Sequence, residues 1–73
     1  MTPDTAAPLA RARGRGLAPY RLAHHPEDGV LECISAPFPE GSRVYIMARR
    51  PNDPATMRRY PAASLHALPY TGR

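Results

Sequence analysis

The sequence predicts a mainly β protein: a small twisted antiparallel sheet or SH3-like barrel of three to five strands, with one short carboxy-terminal helical turn and a disordered amino-terminal tail. Three observations predict it. Residues 43–49 (RVYIMAR) alternate, placing Val44, Ile46 and Ala48 on one face and Tyr45, Met47 and Arg49 on the other. Short runs of strand-forming residues recur between clusters of Pro, Gly, Asn and Asp, which are turn residues. Ten prolines in 73 residues, together with a polar amino end, indicate that part of the chain does not pack.

Each element follows from local chemistry. Residues 1–18 (MTPDTAAPLARARGRGLA) hold only two large aliphatics, Leu9 and Leu17. Such a stretch buries too little apolar surface to offset the entropy of ordering it, so it reads as a mobile tail carrying Arg11, Arg13 and Arg15. Residues 19–69 form the domain. Residues 20–23 suit a short edge strand, with Pro19 tolerated at its first position. Residues 24–29 (HHPEDG) read as a turn, because Asp-Gly gives easy access to left-handed backbone. Residues 30–35 (VLECIS) read as a strand, and residues 37–42 (PFPEGS) as a loop whose two prolines break a ladder.

Strand 43–49 then runs into a tight connection, residues 51–56 (PNDPAT), and returns through residues 57–60 (MRRY) as a hairpin. Arg58 and Arg59, being adjacent on a strand, must point to opposite faces. Pro61 suits a first helical position and Pro69 blocks continuation, so residues 62–68 (AASLHAL) favour a helical turn with Leu65 and Leu68 on one face. Residues 70–73 read as a loose tail. An SH3-like barrel is the commonest container for strands of this number and length.

The charge pattern is the main functional signal. There are ten basic residues, all arginine, against six acids, a formal net charge of +4. Arg43, Arg49, Arg50, Arg58 and Arg59 lie together with one acid, Asp53, while Glu27, Asp28, Glu32 and Glu40 precede them. The guanidinium is a rigid planar fork that grips carboxylate or phosphate through two parallel hydrogen bonds. Tyr45 and Tyr60 add aromatic surface, and Tyr with Arg is the pairing enriched at interface hot spots. The partner-binding residues predicted from this pattern are Arg43, Tyr45, Arg49, Arg50, Arg58 and Arg59.

Other classes of function find less support. A domain of about 50 residues has little room for a deep, water-excluding active site and ample room for one binding face. Cys33 lacks a histidine-and-carboxylate pattern, Ser64 lacks a nucleophile elbow, and RGRG precedes no helix, so no enzyme is expected. His24, His25, Cys33 and His66 lack zinc-site spacing, so neither metal nor cofactor is expected. The lone cysteine permits no internal disulfide and suits a reducing compartment. No apolar run is long enough to span a bilayer, and the amino end lacks the apolar centre of a secretory signal. Nucleic acid remains a possible weak contact through the same arginines and the tail, although no helix suits a major groove and no Gly-rich aromatic strand of the RNA-recognition type is present.

Two resemblances add to these readings. Pro39-Glu40-Gly41, a strand, and Tyr60-Pro61-Ala62-Ala63-Ser64-Leu65 resemble the type II dihydrofolate reductases over about half the chain. Those are SH3-like chains assembled as tetramers around a shared pore. In that family Val-Gln-Ile precedes the Tyr-Pro step and lines the pore. Here Met57, Arg58 and Arg59 stand there, and arginines crowded around a pore would repel one another, so the likeness supports the fold and argues against the activity.

The whole chain, by its length, arginine-only basicity, Ala/Arg/Pro head and compact basic body, resembles small transcription regulators of lytic phages of Xanthomonas. That resemblance implies a monomer in the cytoplasm of the bacterial host that binds RNA polymerase at the amino-terminal part of the β′ subunit. It implies inhibition of initiation by interference with σ factor, together with antitermination.

Overall fold

The alternating segment becomes β4 (Arg43–Arg50), and the sheet is built around it. The computed structural model describes residues 3–69. Along one edge of β4 runs β5 (Asp53–Pro61), with Ile46 opposite Tyr60 and Met47 opposite Arg59. The other edge is shared. β3 (Phe38–Glu40) pairs with residues 43–45, and β2 (Gly29–Cys33) pairs with Ala48 and Arg49. The chain between β2 and β3 fills the gap: Ile34 N donates to Met47 O at 2.7 Å, and Met47 N donates to Ser35 Oγ at 3.0 Å. β1 (Leu22–His25) extends the sheet beyond β2, and β6 (His66–Ala67) extends it beyond β1. The result is a curled antiparallel half-barrel.

Alternation decides which side chains enter the core. Val44, Ile46 and Ala48 face inward and are buried, as their spacing predicts. Ala23, Leu31, Cys33 and Tyr60 join them from the neighbouring strands. The cross-strand pairs Ala23 with Leu31, Cys33 with Ala48 and Ile46 with Tyr60 match inward residue to inward residue. Burying a side chain such as Ile46 or Leu31 stabilises the fold by about 1.5–3 kcal/mol.

The amino-terminal segment departs from the expected mobile tail. Pro3–Gly14 is an α-helix, α1, and Leu9, Ala12 and, beyond the helix, Leu17 are buried in the core. Alanine carries no side-chain entropy cost in a helix, and its small size lets the helix lie close over the sheet, so two leucines suffice as anchors. Arg11 and Arg13 sit in the last turn, where the helix dipole favours cations. The Arg-Gly repeat ends the helix: Gly16, at φ 85°, donates its N–H to Arg13 O at 3.1 Å. The expected loose tail at residues 70–73 lies outside the described residues.

Four smaller expectations are corrected. Tyr20 has φ 68°, which no strand accommodates, so β1 starts at Leu22 and continues through His24 and His25. The segment read as a proline-broken loop contains β3, because β3 has a single neighbour and Pro39 is tolerated on such an edge. The β4–β5 connection is only two residues long. Pro51 followed by Asn52 at φ 63° has the chemistry of a type II turn, and Asn accepts left-handed backbone readily. Residues 62–68 form a single 3₁₀ turn (Ala62–Ser64) and then β6, because Leu65 takes extended backbone to reach the core and the chain beyond it pairs with β1. The expected antiparallel sheet is present, with six strands when the two-residue β6 is counted.

Candidate functional site

The six predicted residues all lie on the β4–β5 hairpin, and they do not share one plane. Tyr45, Met47 and Arg49 project from the outer face of β4, and Arg59, opposite Met47, joins them from β5. The Arg59 guanidinium carbon stands 4.5 Å from the Tyr45 ring centroid, a stacked cation–π contact. The same guanidinium pairs with Glu40. Arg49 sits directly opposite Glu32 on β2, and its Nε and Nη2 donate to Glu32 Oε1 at 3.3 and 3.2 Å. The acidic block that precedes the arginines thus supplies their partners once the strands pair. Such solvent-accessible pairs contribute about 0–1 kcal/mol each to stability. Their larger consequence is that two of the five hairpin guanidiniums are already neutralised.

Arg50 and Arg58 lie on the other side. Arg58 is opposite the inward Ala48, beyond the edge of the apolar core, and remains exposed. A bulge brings Arg50 beside it. Between the pairs Ala48–Arg58 and Arg50–Asp53, β4 has one residue and β5 has residues 54–57. The Thr56 hydroxyl holds this bulge, accepting from Arg50 N at 2.8 Å and donating to Asp53 O at 2.7 Å. Arg50, Thr56 and Arg58, with Asp28 and Tyr60, line a cavity of about 170 Å³.

Asp28 is already engaged there. The Tyr60 hydroxyl donates to Asp28 Oδ2 at 2.6 Å, tying the β1–β2 turn to β5. That bond is the main reason the Asp28 carboxyl is held below the usual carboxylate range; His25, Arg58 and Arg50 act in the same direction and desolvation opposes them. Desolvation, and then the bond to Asp28, pushes the Tyr60 hydroxyl up. The turn itself is held by His25, whose Nδ1 accepts from Glu27 N and Asp28 N, both at 3.1 Å, while its ring lies 5.0 Å from that of Tyr60. Gly29, at φ 79°, closes the turn. Among the described residues, neither Arg50 nor Arg58 has a carboxylate within ion-pair distance.

Arg43, at the opposite end of β4, is also exposed and unpaired among the described residues. It borders a groove of about 420 Å³ that Arg11 and Arg15 line from the helical segment. The sequence reading omits those two because it assigns them to an unpacked tail. Arg15 directly follows α1 and its N–H still donates to Arg11 O at 3.0 Å, so their i, i+4 spacing was the available signal that both lie on one side of this segment.

The remaining reactive side chains are separate from this surface. Cys33 is buried within β2, and burial pushes its thiol up, away from the reactive thiolate. Among the described residues no three His, Cys, Asp or Glu side chains gather as metal ligands. No helix among them is long and apolar enough to cross a membrane. The chain matches no protein-family model, no curated protein and no solved structure.

Proposed function

We propose that the protein is a non-enzymatic regulator that binds bacterial RNA polymerase, at the amino-terminal region of β′, through the arginines of its β4–β5 hairpin. In this reading it is a phage product acting in the host cytoplasm as a monomer. It inhibits initiation by interfering with σ factor and promotes read-through of terminators. The whole-chain resemblance supports the identity of the partner.

The single observation that carries the docking surface is the state of Arg50 and Arg58. Both are exposed and line one cavity, neither has a carboxylate within ion-pair distance among the described residues, and the nearby Asp28 is occupied by Tyr60. Two unpaired guanidiniums on a strand pair fit an acidic protein surface: opposite charge speeds encounter and sets orientation, and each fork accepts a carboxylate. Tyr45, Arg49 and Arg59 project from the opposite face of the hairpin and Arg43 lies at the far end of β4, so they stand outside this contact; Arg49 and Arg59 are in addition neutralised by Glu32 and Glu40.

The test is co-purification with RNA polymerase. Arg50→Glu combined with Arg58→Glu abolishes capture while the circular dichroism spectrum is unchanged. Retained capture by the folded double variant removes the hairpin from the interface. Tight binding to bare duplex DNA at physiological salt, with a steep salt slope, would replace the polymerase reading with a nucleic-acid module.

A further inference from the structure

We propose that the groove between the α1 segment and β4 is a second binding site, which takes a short acidic peptide segment of a partner protein around one apolar side chain. The floor and walls are small and apolar: Pro8, Ala12, Val44, Pro61, Ala62 and Ala63. Ala12 and Ala62 are each 2% exposed, so the floor belongs to the packed core. Arg11, Arg15 and Arg43 line the same groove. Arg11 and Arg15, four apart, share one side of the helical segment, and Arg43 approaches from the start of β4.

The groove is built for anionic contact. Arg15 Nη2 donates to Ala62 O at 2.7 Å, so one guanidinium is fixed in place across the groove. No acid is among its lining residues. Three like charges around one apolar trough repel one another until carboxylates enter, which supplies the complementarity that selects the occupant. The lack of an aromatic ring among the described lining residues favours peptide over nucleic acid. Single strands are gripped by stacking bases on aromatic side chains, and the apolar part of this groove is aliphatic. An aliphatic side chain flanked by carboxylates matches both the floor and the rim. The site is distinct from the Arg50–Arg58 surface, and its occupant need not be the polymerase.

The probe is a fluorescein-labelled peptide, Asp-Glu-Leu-Glu-Asp, titrated with the full chain and read by fluorescence anisotropy. Ala63→Trp fills the groove from an exposed wall position without changing charge. Arg11→Glu combined with Arg43→Glu reverses two rim charges. Each is expected to weaken binding by about tenfold or more, as is replacing the peptide leucine by serine. Arg50→Glu with Arg58→Glu is expected to leave the groove functional, with a loss no greater than the change in net charge imposes. That separates failure of this site from failure of the polymerase reading. Unsaturable binding by the unaltered chain overturns the proposal, as do equal affinities for Ala63→Trp and the unaltered chain, or equal affinities for the leucine and serine peptides.

Discussion

The amino-terminal segment and the β4–β5 hairpin hold eight of the ten arginines, and they use them differently. In the hairpin, neighbouring strands supply carboxylates that neutralise Arg49 and Arg59, while Arg43, Arg50 and Arg58 make no ion pair among the described residues. In the amino-terminal segment, no ion pair among the described residues involves Arg11, Arg13 or Arg15; Arg15 is instead spent on a backbone carbonyl. Arginine content alone therefore says little about where a partner docks. What matters is which guanidiniums the fold has already satisfied. The two regions also differ in how they are anchored. The hairpin carries alternating apolar residues along a whole strand, whereas the helical segment rests on Leu9, Ala12 and Leu17.

The largest expected effect tests that anchoring. Leu17 is 1% exposed, and Leu17→Ala is expected to cost about 2–5 kcal/mol in urea denaturation. Leu22→Ala, at 43% exposure on the outer surface, serves as the control, with a change of about 0.5 kcal/mol or less. Equal midpoints for the two variants would show that the amino-terminal segment does not share the cooperative core.

A smaller effect concerns the clasp beside Arg50 and Arg58. The Asp28 carboxyl is held down in the folded state, so its contribution is present above the ordinary carboxylate range and is lost as pH falls through the depressed folded value. The Tyr60 hydroxyl is pushed up, so its contribution is present below the ordinary tyrosine value and is lost as pH rises through the raised one. Tyr60→Phe is expected to remove the alkaline loss and to flatten the acidic one, measured as denaturation midpoint against pH. Parallel pH profiles for the two proteins would contradict the Tyr60–Asp28 bond.

The smallest effect on stability sharpens the comparison most. Glu32→Gln releases Arg49 and is expected to change stability by about 1 kcal/mol or less. Affinity for an acidic partner should rise by no more than the one added net positive charge confers, because Arg49 lies on the face opposite Arg50 and Arg58. A fall in affinity would mean that Glu32 itself touches the partner.

Much of the hairpin was legible because alternation is a local property. Val44, Ile46 and Ala48 announce the inner face by spacing alone, and adjacency forces Arg58 and Arg59 apart. Register was not legible. That Glu32 meets Arg49 depends on β2 and β3 sharing an edge of β4, and that Arg50 meets Arg58 depends on the Thr56 bulge. Both follow from pairings between residues distant in sequence. β3 escaped notice because Pro39 is acceptable only on an edge, and edges are assigned by the whole sheet. The helix escaped because its apolar stripe is narrow and alanine-rich, so its stability comes from packing on a surface that the segment does not itself contain. The groove was hidden for the same reason, since one wall is that helix.

The central claim is that docking uses the unpaired guanidiniums in preference to the paired ones. It is tested most directly by titrating RNA polymerase, at one fixed salt concentration, with two double variants that each remove two positive charges. Arg50→Gln with Arg58→Gln is expected to weaken binding by about tenfold or more, while Arg49→Gln with Arg59→Gln changes it by about twofold or less. Equal losses, or the larger loss in the second variant, would contradict the account.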